Sequence, residues 1–290
     1  MKEAMRRFVP FILALGFGIG SLLAEPAHLR VVAANLSSGP HQSYSPDNGN
    51  HSNLEGAGAR ILKGLKPDVV LIQEFNTSIP TRQWVNDTLG QEYSFYQETG
   101  KAIPNGVISK YPIIESGDWD DPTQDTRDFA WAKIKLPNGK NLWAVSVHLY
   151  TKKSEIRQKE AQVLVEKIKS VAGPDDYIVL GGDFNTKSAD EPCLKALAQI
   201  LPMQKDRPAD SQGNIDTNEP RNKPYDWVLT DSKLAALAKP VAVGTQTFPN
   251  GLVFDSRVFT PLSDVAPTQP DDSKVQNMQH MAIVRDFLVP

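Results

Sequence analysis

Residues 177–185 read Tyr-Ile-Val-Leu-Gly-Gly-Asp-Phe-Asn and carry the strongest structural signal in the chain. The apolar run from Tyr177 to Leu180 predicts a short strand. The two glycines that follow predict a tight turn. Asp183 and Asn185 stand two positions apart, and on an extended segment this spacing points both side chains the same way. We therefore expect a strand that ends on an acid and an amide.

The same arrangement recurs along the chain, because other apolar runs also end on an acid, an amide or an imidazole. The predicted strands are Leu29–Ala34, Val69–Ile72, Gly106–Ser109, Phe129–Leu136, Leu142–Val147, Tyr177–Leu180, Tyr225–Leu229 and Met281–Phe287. The polar residues beside their ends are Asn35, Glu74, His148, Asp183, Asn185, Asp226 and His280. Residues at strand ends converge on one rim of a sheet, which is where α/β folds usually place their sites.

Helical segments lie between the strands. Capping boxes at residues 52–55 and 188–191 each predict a helix start, and a long amphipathic helix is predicted over Ser154–Val171. Residues 137–140, Pro-Asn-Gly-Lys, predict a hairpin. Turn-rich residues 203–224 predict a long surface loop. With neither repeat nor linker in the chain, this pattern favours one mixed α/β domain with sheets inside and helices outside.

The N-terminal residues predict an export signal. Lys2, Arg6 and Arg7 precede 16 uncharged residues, Phe8 to Leu23, and Ala24 follows them. A basic patch, an apolar run and a small residue are typical of a secretory signal peptide, and the run is short for a membrane span. We therefore assign residues 1–24 to a signal peptide and expect a secreted or periplasmic protein. The alternatives are an uncleaved anchor and a buried core helix.

Composition excludes several classes of protein. The 290 residues include 31 Lys+Arg and 34 Asp+Glu. The resulting net charge of -3 argues against a protein that binds nucleic acid through overall positive charge alone. Removal of residues 1–24 takes away three basic residues and one acidic residue, which changes the net charge to -5. A single cysteine, Cys193, excludes a disulfide framework and a multi-cysteine zinc site. We expect that thiol to be buried.

The strand-end residues form a chemically coherent set. Glu74 and Asn35 offer the hard oxygen ligands that suit Mg²⁺. Asp183 and Asn185 can share one phosphate. His148 and His280 titrate near neutral pH, so one can act as a base and the other as an acid. Asp226 can hold one imidazole in the required tautomer. Together they suit attack by water on a phosphoryl centre with help from a metal.

The order of these motifs resembles that of the endonuclease/exonuclease/phosphatase family. The matching segments are Asn35, Gln73-Glu74, Ser146-Val147-His148-Leu149, Gly182-Asp183-Phe184-Asn185, Tyr225-Asp226-Trp227-Val228-Leu229 and His280. The resemblance covers roughly residues 28 to 288. It implies a four-layered α/β/β/α sandwich, in which two mixed β-sheets pack together between helical layers. It also implies that residues 25–290 form a catalytic domain of this type.

The resemblance implies a role for each strand-end residue. Asp183 and Asn185 would position the attacking water and the phosphate. His148 would act as an acid or a phosphate contact, and Asp226 would orient His280. Which of Asp183 and His280 is the base stays open at this point.

The implied metal site consists of Glu74 as the ligand and Asn35 beside it, and the metal is Mg²⁺, with Mn²⁺ or Ca²⁺ as alternatives. Gln279 stands where the family usually has an aspartate, so we expect one dominant metal at Glu74. Arg127 is a further candidate for contacting the substrate phosphate, with a solvated surface arginine as the alternative.

The resulting expectation is a secreted, metal-dependent hydrolase of phosphate esters, first of all a phosphodiesterase or nuclease. A phospholipid or sphingomyelin phosphodiesterase is the second possibility; Phe248 and Leu252–Phe254 would then touch a membrane transiently, or else pack in the core. An inositol phosphate phosphatase is the third. A catalytically degenerate binding module is the alternative of another class. The sequence implies no protein partner.

Overall fold

A computed structural model describes residues 26–37, 44, 56–275 and 278–290. The predicted signal peptide and the capping box at residues 52–55 lie outside these residues. Among the helices that are described, none combines the length and the apolar character that a membrane crossing requires.

The described chain forms strands and helices in mixed order. The strands are β1 (Ala27–Ala34), β2 (Val69–Ile72), β3 (Ser94–Gln97), β4 (Gly106–Ser109), β5 (Ile113–Trp119), β6 (Phe129–Lys135), β7 (Asn141–His148), β8 (Tyr177–Asp183), β9 (Asp226–Thr230), β10 (Ala238–Lys239), β11 (Val241–Val243), β12 (Gln246–Phe248), β13 (Leu252–Phe254) and β14 (Ala282–Val289). The helices are α1 (Ala57–Leu65), α2 (Thr81–Thr88), α3 (Ser154–Val171), α4 (Pro192–Leu197) and α5 (Ser232–Ala235), with 3₁₀ helices at Leu262–Val265 and Asp272–Lys274.

Two mixed sheets organise these strands. The first has the order β10-β14-β1-β2-β4-β3, with β13 also paired to β14, and the second has the order β5-β6-β7-β8-β9. Strand β1 is parallel to β2 and β7 is parallel to β8, whereas the other pairs within the two sheets are antiparallel. The short strands β11 and β12 form a separate pair.

Successive side chains of the central strands point to opposite faces of the sheet, and this explains why each sheet has another layer packed on both of its faces. In β1, Leu29 and Val31 point between the two sheets, whereas Val32 and Ala34 point to the outer face that α1 and α2 cover. On the other side of the molecule, α3 and α4 pack against β7 and β8. Both sheets are thus buried on two faces, and the result is the predicted four-layered α/β/β/α sandwich.

The structure confirms the predicted helix Ser154–Val171 and the hairpin at residues 137–140, where the Leu136 amide donates to the Lys140 carbonyl at 3.0 Å. Cys193 is buried, as expected. The predicted capping box at residues 188–191 is wrong. Helix α4 begins at Pro192 without a side-chain cap, because the Glu191 carboxylate accepts from Arg157 Nε at 2.8 Å.

The apolar residues once considered for membrane contact belong to the core. Phe248 and all of Leu252–Phe254 are buried, and they pack in the apolar cluster beneath α1. The membrane-touching interpretation of this stretch is therefore wrong.

Candidate active site

One rim of the sandwich collects the predicted polar residues. Strands β1 and β2 of the first sheet lead to Asn35 and Glu74. The second sheet supplies His148, Asp183 and Asp226, which stand in register at the ends of β7, β8 and β9. Because the parallel pairs β1–β2 and β7–β8 end at this same rim, residues that are far apart in the sequence become neighbours.

The Asp183 carboxylate is the centre of the group. Its Oδ2 atom lies 3.1 Å from Asn35 Nδ2, 3.1 Å from Asn185 Nδ2, 3.1 Å from His148 Nε2 and 3.5 Å from His280 Nε2. Its Oδ1 accepts from the backbone amide of Asn185 at 2.8 Å. Asp183 is only 1% exposed. Burial raises the pKa of its carboxyl group, and the positive charge of His280 partly opposes this shift.

Asp226 and His280 form a buried ion pair. His280 Nδ1 lies 2.9 Å from Asp226 Oδ2. Burial lowers the pKa of His280, but the carboxylates of Asp226 and Asp183 outweigh burial and raise this pKa to about 10. The ring is therefore an imidazolium at neutral pH, and Nε2 directs its proton toward Asp183.

His148 is held in the opposite charge state. Burial, together with the positive charges of Arg127 and His280, keeps the pKa of His148 well below its usual value. The neutral ring places Nε2 3.1 Å from Asp183 Oδ2, which favours the tautomer that donates from Nε2. Nδ1 then carries the lone pair. It has no hydrogen-bond partner in the described part of the chain and lies 4.0 Å from Glu74 Oε1.

The donor set beside Glu74 fits a hard divalent cation. Asn35 Nδ2 lies 3.5 Å from Glu74 Oε1, whereas the buried Asn35 Oδ1 has no hydrogen-bond partner among the described residues. A buried oxygen without a donor is uncommon, and beside a carboxylate it is the kind of ligand that Mg²⁺ takes. Glu74 has a φ of 48°, a left-handed conformation that is unusual for a residue with a side chain and common at functional sites.

A second group of ligand-type atoms consists of Asp183, Asp226 and His280, which approach within 4.8 Å of one another. His280 already supplies a positive charge there, so a cation at this position would have to displace its proton. Gln279, the neighbour of His280, is exposed, and its carbonyl accepts from the Glu219 amide at 2.8 Å.

Arg127 is buried, so the interpretation as a solvated surface residue is wrong. Its Nε donates to the His148 carbonyl at 2.5 Å and its Nη2 donates to the Leu149 carbonyl at 3.2 Å. These bonds hold the end of β7, which carries His148, in position at the rim. A contact between Arg127 and a substrate phosphate stays a prediction.

Comparison with known proteins identifies this arrangement. The model of the "Endonuclease/Exonuclease/phosphatase family" matches residues 35–241, which include every rim residue from Asn35 to Asp226. The chain belongs to the endonuclease/exonuclease/phosphatase family. Members of this family are phosphoester hydrolases. Among proteins with curated descriptions, none matches the sequence.

Solved structures share the fold of this family member. An endonuclease/exonuclease/phosphatase from Bacteroides vulgatus is 16% identical, with a TM-score of 0.62 and coverage of 91% of this chain and 100% of that one. A mannosyl-6-phosphatase from Bacteroides thetaiotaomicron is 13% identical, with a TM-score of 0.58 and coverage of 90% and 100%. D. rerio TDP2, complexed with a single-strand DNA product, is 18% identical, with a TM-score of 0.55 and coverage of 90% and 99%.

Two further residues, Gln73 and Thr217, support the rim residues of this family member from below. Gln73 Nε2 donates to Ser146 Oγ at 2.8 Å, which ties β2 of one sheet to β7 of the other beneath the rim. Thr217 Oγ1 accepts from the Asp226 amide at 2.8 Å, and the Thr217 carbonyl accepts from the Met281 amide at 2.7 Å. Gln73 is signalled by the Gln-Glu motif, but Thr217 lies in the long loop without any local signal.

Proposed function

We propose that this protein is a secreted, divalent-metal-dependent phosphodiesterase, with nucleic acid as the first candidate substrate. The observation that carries the proposal is the position of Asp183 Oδ2. It is surrounded by side-chain nitrogens of Asn35, Asn185, His148 and His280. The same Asn35 nitrogen lies 3.5 Å from Glu74 Oε1, which brings Glu74 to the edge of this group.

Asn35 Oδ1 and the Glu74 carboxylate would hold Mg²⁺, or Mn²⁺ or Ca²⁺ in its place. When bound, the cation would neutralise charge on the phosphoryl oxygens. Retention of Glu74 together with an orphaned amide oxygen supports this metal dependence. The N-terminal basic and apolar pattern supports export.

The remaining site residues each have a separate role in the attack of water on phosphorus. Asp183 is placed to accept the proton of the attacking water, since His280 already carries a proton on the side that faces Asp183. The imidazolium of His280, balanced by Asp226, would stabilise the charge that develops on the phosphoryl group. Asn185 Nδ2 and the neutral His148 would donate hydrogen bonds that orient the phosphate. The leaving oxygen would take its proton from the His280 imidazolium, because a neutral imidazole cannot give up a proton without becoming an imidazolate.

Two kinds of phosphate ester are the leading candidates for the substrate. Similarity to TDP2 in complex with a DNA product supports a nucleic-acid phosphodiester. The mannosyl-6-phosphatase among the similar structures supports a phosphomonoesterase as the second candidate. A phospholipid substrate loses its main argument, because Phe248 and Leu252–Phe254 are in the core. An inositol phosphate phosphatase stays a lower-ranked alternative.

The first test is hydrolysis of bis-p-nitrophenyl phosphate and p-nitrophenyl phosphate with Mg²⁺, Mn²⁺, Ca²⁺ or EDTA. We expect turnover of the diester that needs the metal and that falls by about 10³-fold or more in Glu74→Ala and His280→Ala. Glu115→Ala, at an exposed position on β5, is the matched control and should retain activity.

Near-normal turnover in both site variants would contradict the proposal. Binding of the diester without metal-dependent turnover would favour the degenerate binding module. A panel of plasmid DNA, RNA, sphingomyelin, inositol phosphates and mannose 6-phosphate then selects the substrate class.

A further inference from the structure

A narrow cleft lies beside β9 and β14, on the side of these strands that faces the space between the two sheets. Water-sized molecules can occupy about 20 Å³ within it, whereas the figure rises to about 440 Å³ when the open solvent at its mouth is included. Its walls include Val253 and Ile283, and two arginines also line it, Arg207 and Arg285. The long loop at residues 203–224 closes one side of the cleft.

Arg285 is a buried cation without a described counter-ion. It is 6% exposed, and it lies on β14 between Ile283 and Phe287, whose side chains belong to the inter-sheet core. Its Nη2 donates to the neutral Gln204 Oε1, and its guanidinium lies 5.8 Å from the centre of the Phe287 ring. Burial lowers the pKa of Arg285 to about 10, and no carboxylate opposes this effect.

Three other buried arginines in the described chain have the counter-ion that Arg285 lacks, whereas buried Arg127 donates to two backbone carbonyls instead. Arg30 pairs with Asp286 at 2.7 Å, Arg60 pairs with Asp272 at 2.5 Å, and Arg157 pairs with Glu191 at 2.5 Å. Burial of a charge is costly unless an opposite charge compensates it. The environment of Arg285 therefore favours an anion from solution.

The cleft offers further donors for such an anion. The Arg207 guanidinium lies 4.1 Å from the centre of the Trp227 ring, and Arg207 Nε has no hydrogen-bond partner among the described residues. Thr230 is 2% exposed and lines the same cleft, and its Oγ1 also has no partner in the described part of the chain.

Two carboxylates line the cleft as well, but neither neutralises the arginines. Asp206 is exposed and forms no described ion pair with them, and Asp226 is bonded to His280. Both guanidinium groups donate to neutral oxygens, Arg207 to the Ile215 carbonyl and Arg285 to Gln204, and an anion would supply the ion pair that neither of them has in the described part of the chain.

We infer that this cleft binds a small monocarboxylate anion between Arg207 and Arg285, with the Thr230 hydroxyl as a third donor. A planar carboxylate matches the fork of a guanidinium group, and the apolar walls suit a short alkyl chain. The narrow interior excludes nucleotides and lipids. The cleft adjoins the proposed catalytic group at Asp226, but Arg207, Arg285 and Thr230 have no role in that group, and the inference does not depend on the proposed function.

The test is thermal unfolding of the full protein, treated with EDTA, in sodium acetate, propionate, sulfate or chloride at equal ionic strength. We expect acetate or propionate to raise the melting temperature saturably, by about 3 °C at ten times the dissociation constant, relative to chloride. Arg285→Met should melt above the wild type in chloride, because it removes an unpaired buried charge, and it should lose the response to monocarboxylates.

Arg207→Met and Thr230→Val should fold and should show a smaller rise in melting temperature with acetate or propionate. If Arg285→Met does not fold, these two variants decide the test. Arg82→Met, at an exposed position on α2, is the control and should keep the full response to monocarboxylates. The inference is overturned by equal melting temperatures in monocarboxylate and chloride, by a response that survives in both arginine variants, or by a response to sulfate alone.

Discussion

Asp226 and His280 are 2.9 Å apart in a buried position, and the charge of each depends on the other. Carboxylates hold the pKa of His280 at about 10 against the effect of burial. If the proposed imidazolium is required, activity should persist through neutral pH and fall as pH rises through the pKa of His280.

Replacement Asp226→Asn keeps the shape of the side chain and removes its charge. Asp183 and Glu74 then remain as the carboxylates that oppose burial, so the pKa of His280 falls and the alkaline limb of kcat/KM should move toward neutral pH. A pH profile of the metal-loaded enzyme measures this limb. Asp190→Asn, at an exposed position, is the control. An unmoved limb would show that His280 does not act as the cation.

Glu74→Gln tests the metal ligand by a similar isosteric change. The amide keeps one oxygen ligand and loses the charge that attracts a cation, so the Mg²⁺ concentration for half-maximal activity should rise by about tenfold or more. A Mg²⁺ titration of diester hydrolysis measures the shift. The prediction fails if the variant has the Mg²⁺ requirement of the wild type.

The sequence supported prediction of which rim residues come together, because each stands at one end of an apolar run. It did not support prediction of their charge states. The opposite protonation of His148 and His280 arises from their distances to Asp183 and Asp226, which only the packed sheets define. Thr217 was missed for a related reason, since it acts through one hydroxyl and one carbonyl in a loop without periodicity.

At the scale of elements, the pairing of β1 with β14 contains a titratable contact. His28 Nε2 lies 3.0 Å from Asp286 Oδ2, and hydrogen bonds to Asp286 and Asp68 raise the pKa of His28 to about 9. Because this pKa lies above the unfolded value of about 6.5, the stabilisation is complete below pH 6.5 and is lost as pH rises through 9.

His28→Gln should therefore destabilise the protein at pH 6 and have little effect at pH 10. The His28 side chain is 52% exposed, so solvent screening limits the difference to below about 1 kcal/mol. Urea unfolding of both proteins at the two pH values measures it. The same loss of stability at pH 6 and pH 10 would contradict this assignment.

Gly182 of β8 lies against Gln73, the residue whose side chain links the two sheets. Its φ is 135°, and an added Cβ would lie 2.6 Å from Gln73 Nε2 and would also overlap the Val147 carbonyl. Gly182→Ala should therefore cost about 3 kcal/mol and lower activity, since it displaces Gln73 beside Glu74. Gly139→Ala has a positive φ of 79° but meets nothing within 4 Å, so its cost should be about 1 kcal/mol. Equal costs in chemical denaturation would refute the steric argument.

Two of the strands that were not predicted from the sequence, β3 and β5, lack a clear buried face. Strand β5 has mostly exposed or half-buried positions, and β3 is half-buried throughout. Helix α2 begins without a side-chain cap. By contrast β2 is buried along its whole length, and its continuous apolar sequence made it predictable.

At the scale of the molecule, the site exists only where the two sheets face each other. Asn35 and Glu74 come from one sheet, whereas His148, Asp183 and Asp226 come from the other. Activity, tryptophan fluorescence and far-ultraviolet circular dichroism should therefore be lost in a single urea transition. Loss of activity at a clearly lower urea concentration would show that the rim opens before the sheets separate.

Strand β14 pairs along nearly the whole of β1, from Ala27 with Val289 to Ala33 with Ile283. These partners stand near opposite ends of the described chain, so the centre of the first sheet stays open on a ribosome until almost all of the sequence has been made. Folding of this domain is therefore a late event in biosynthesis. The strand order by itself therefore keeps both edges of β1 from being paired until β14 has left the ribosome, whatever the speed at which the other elements form.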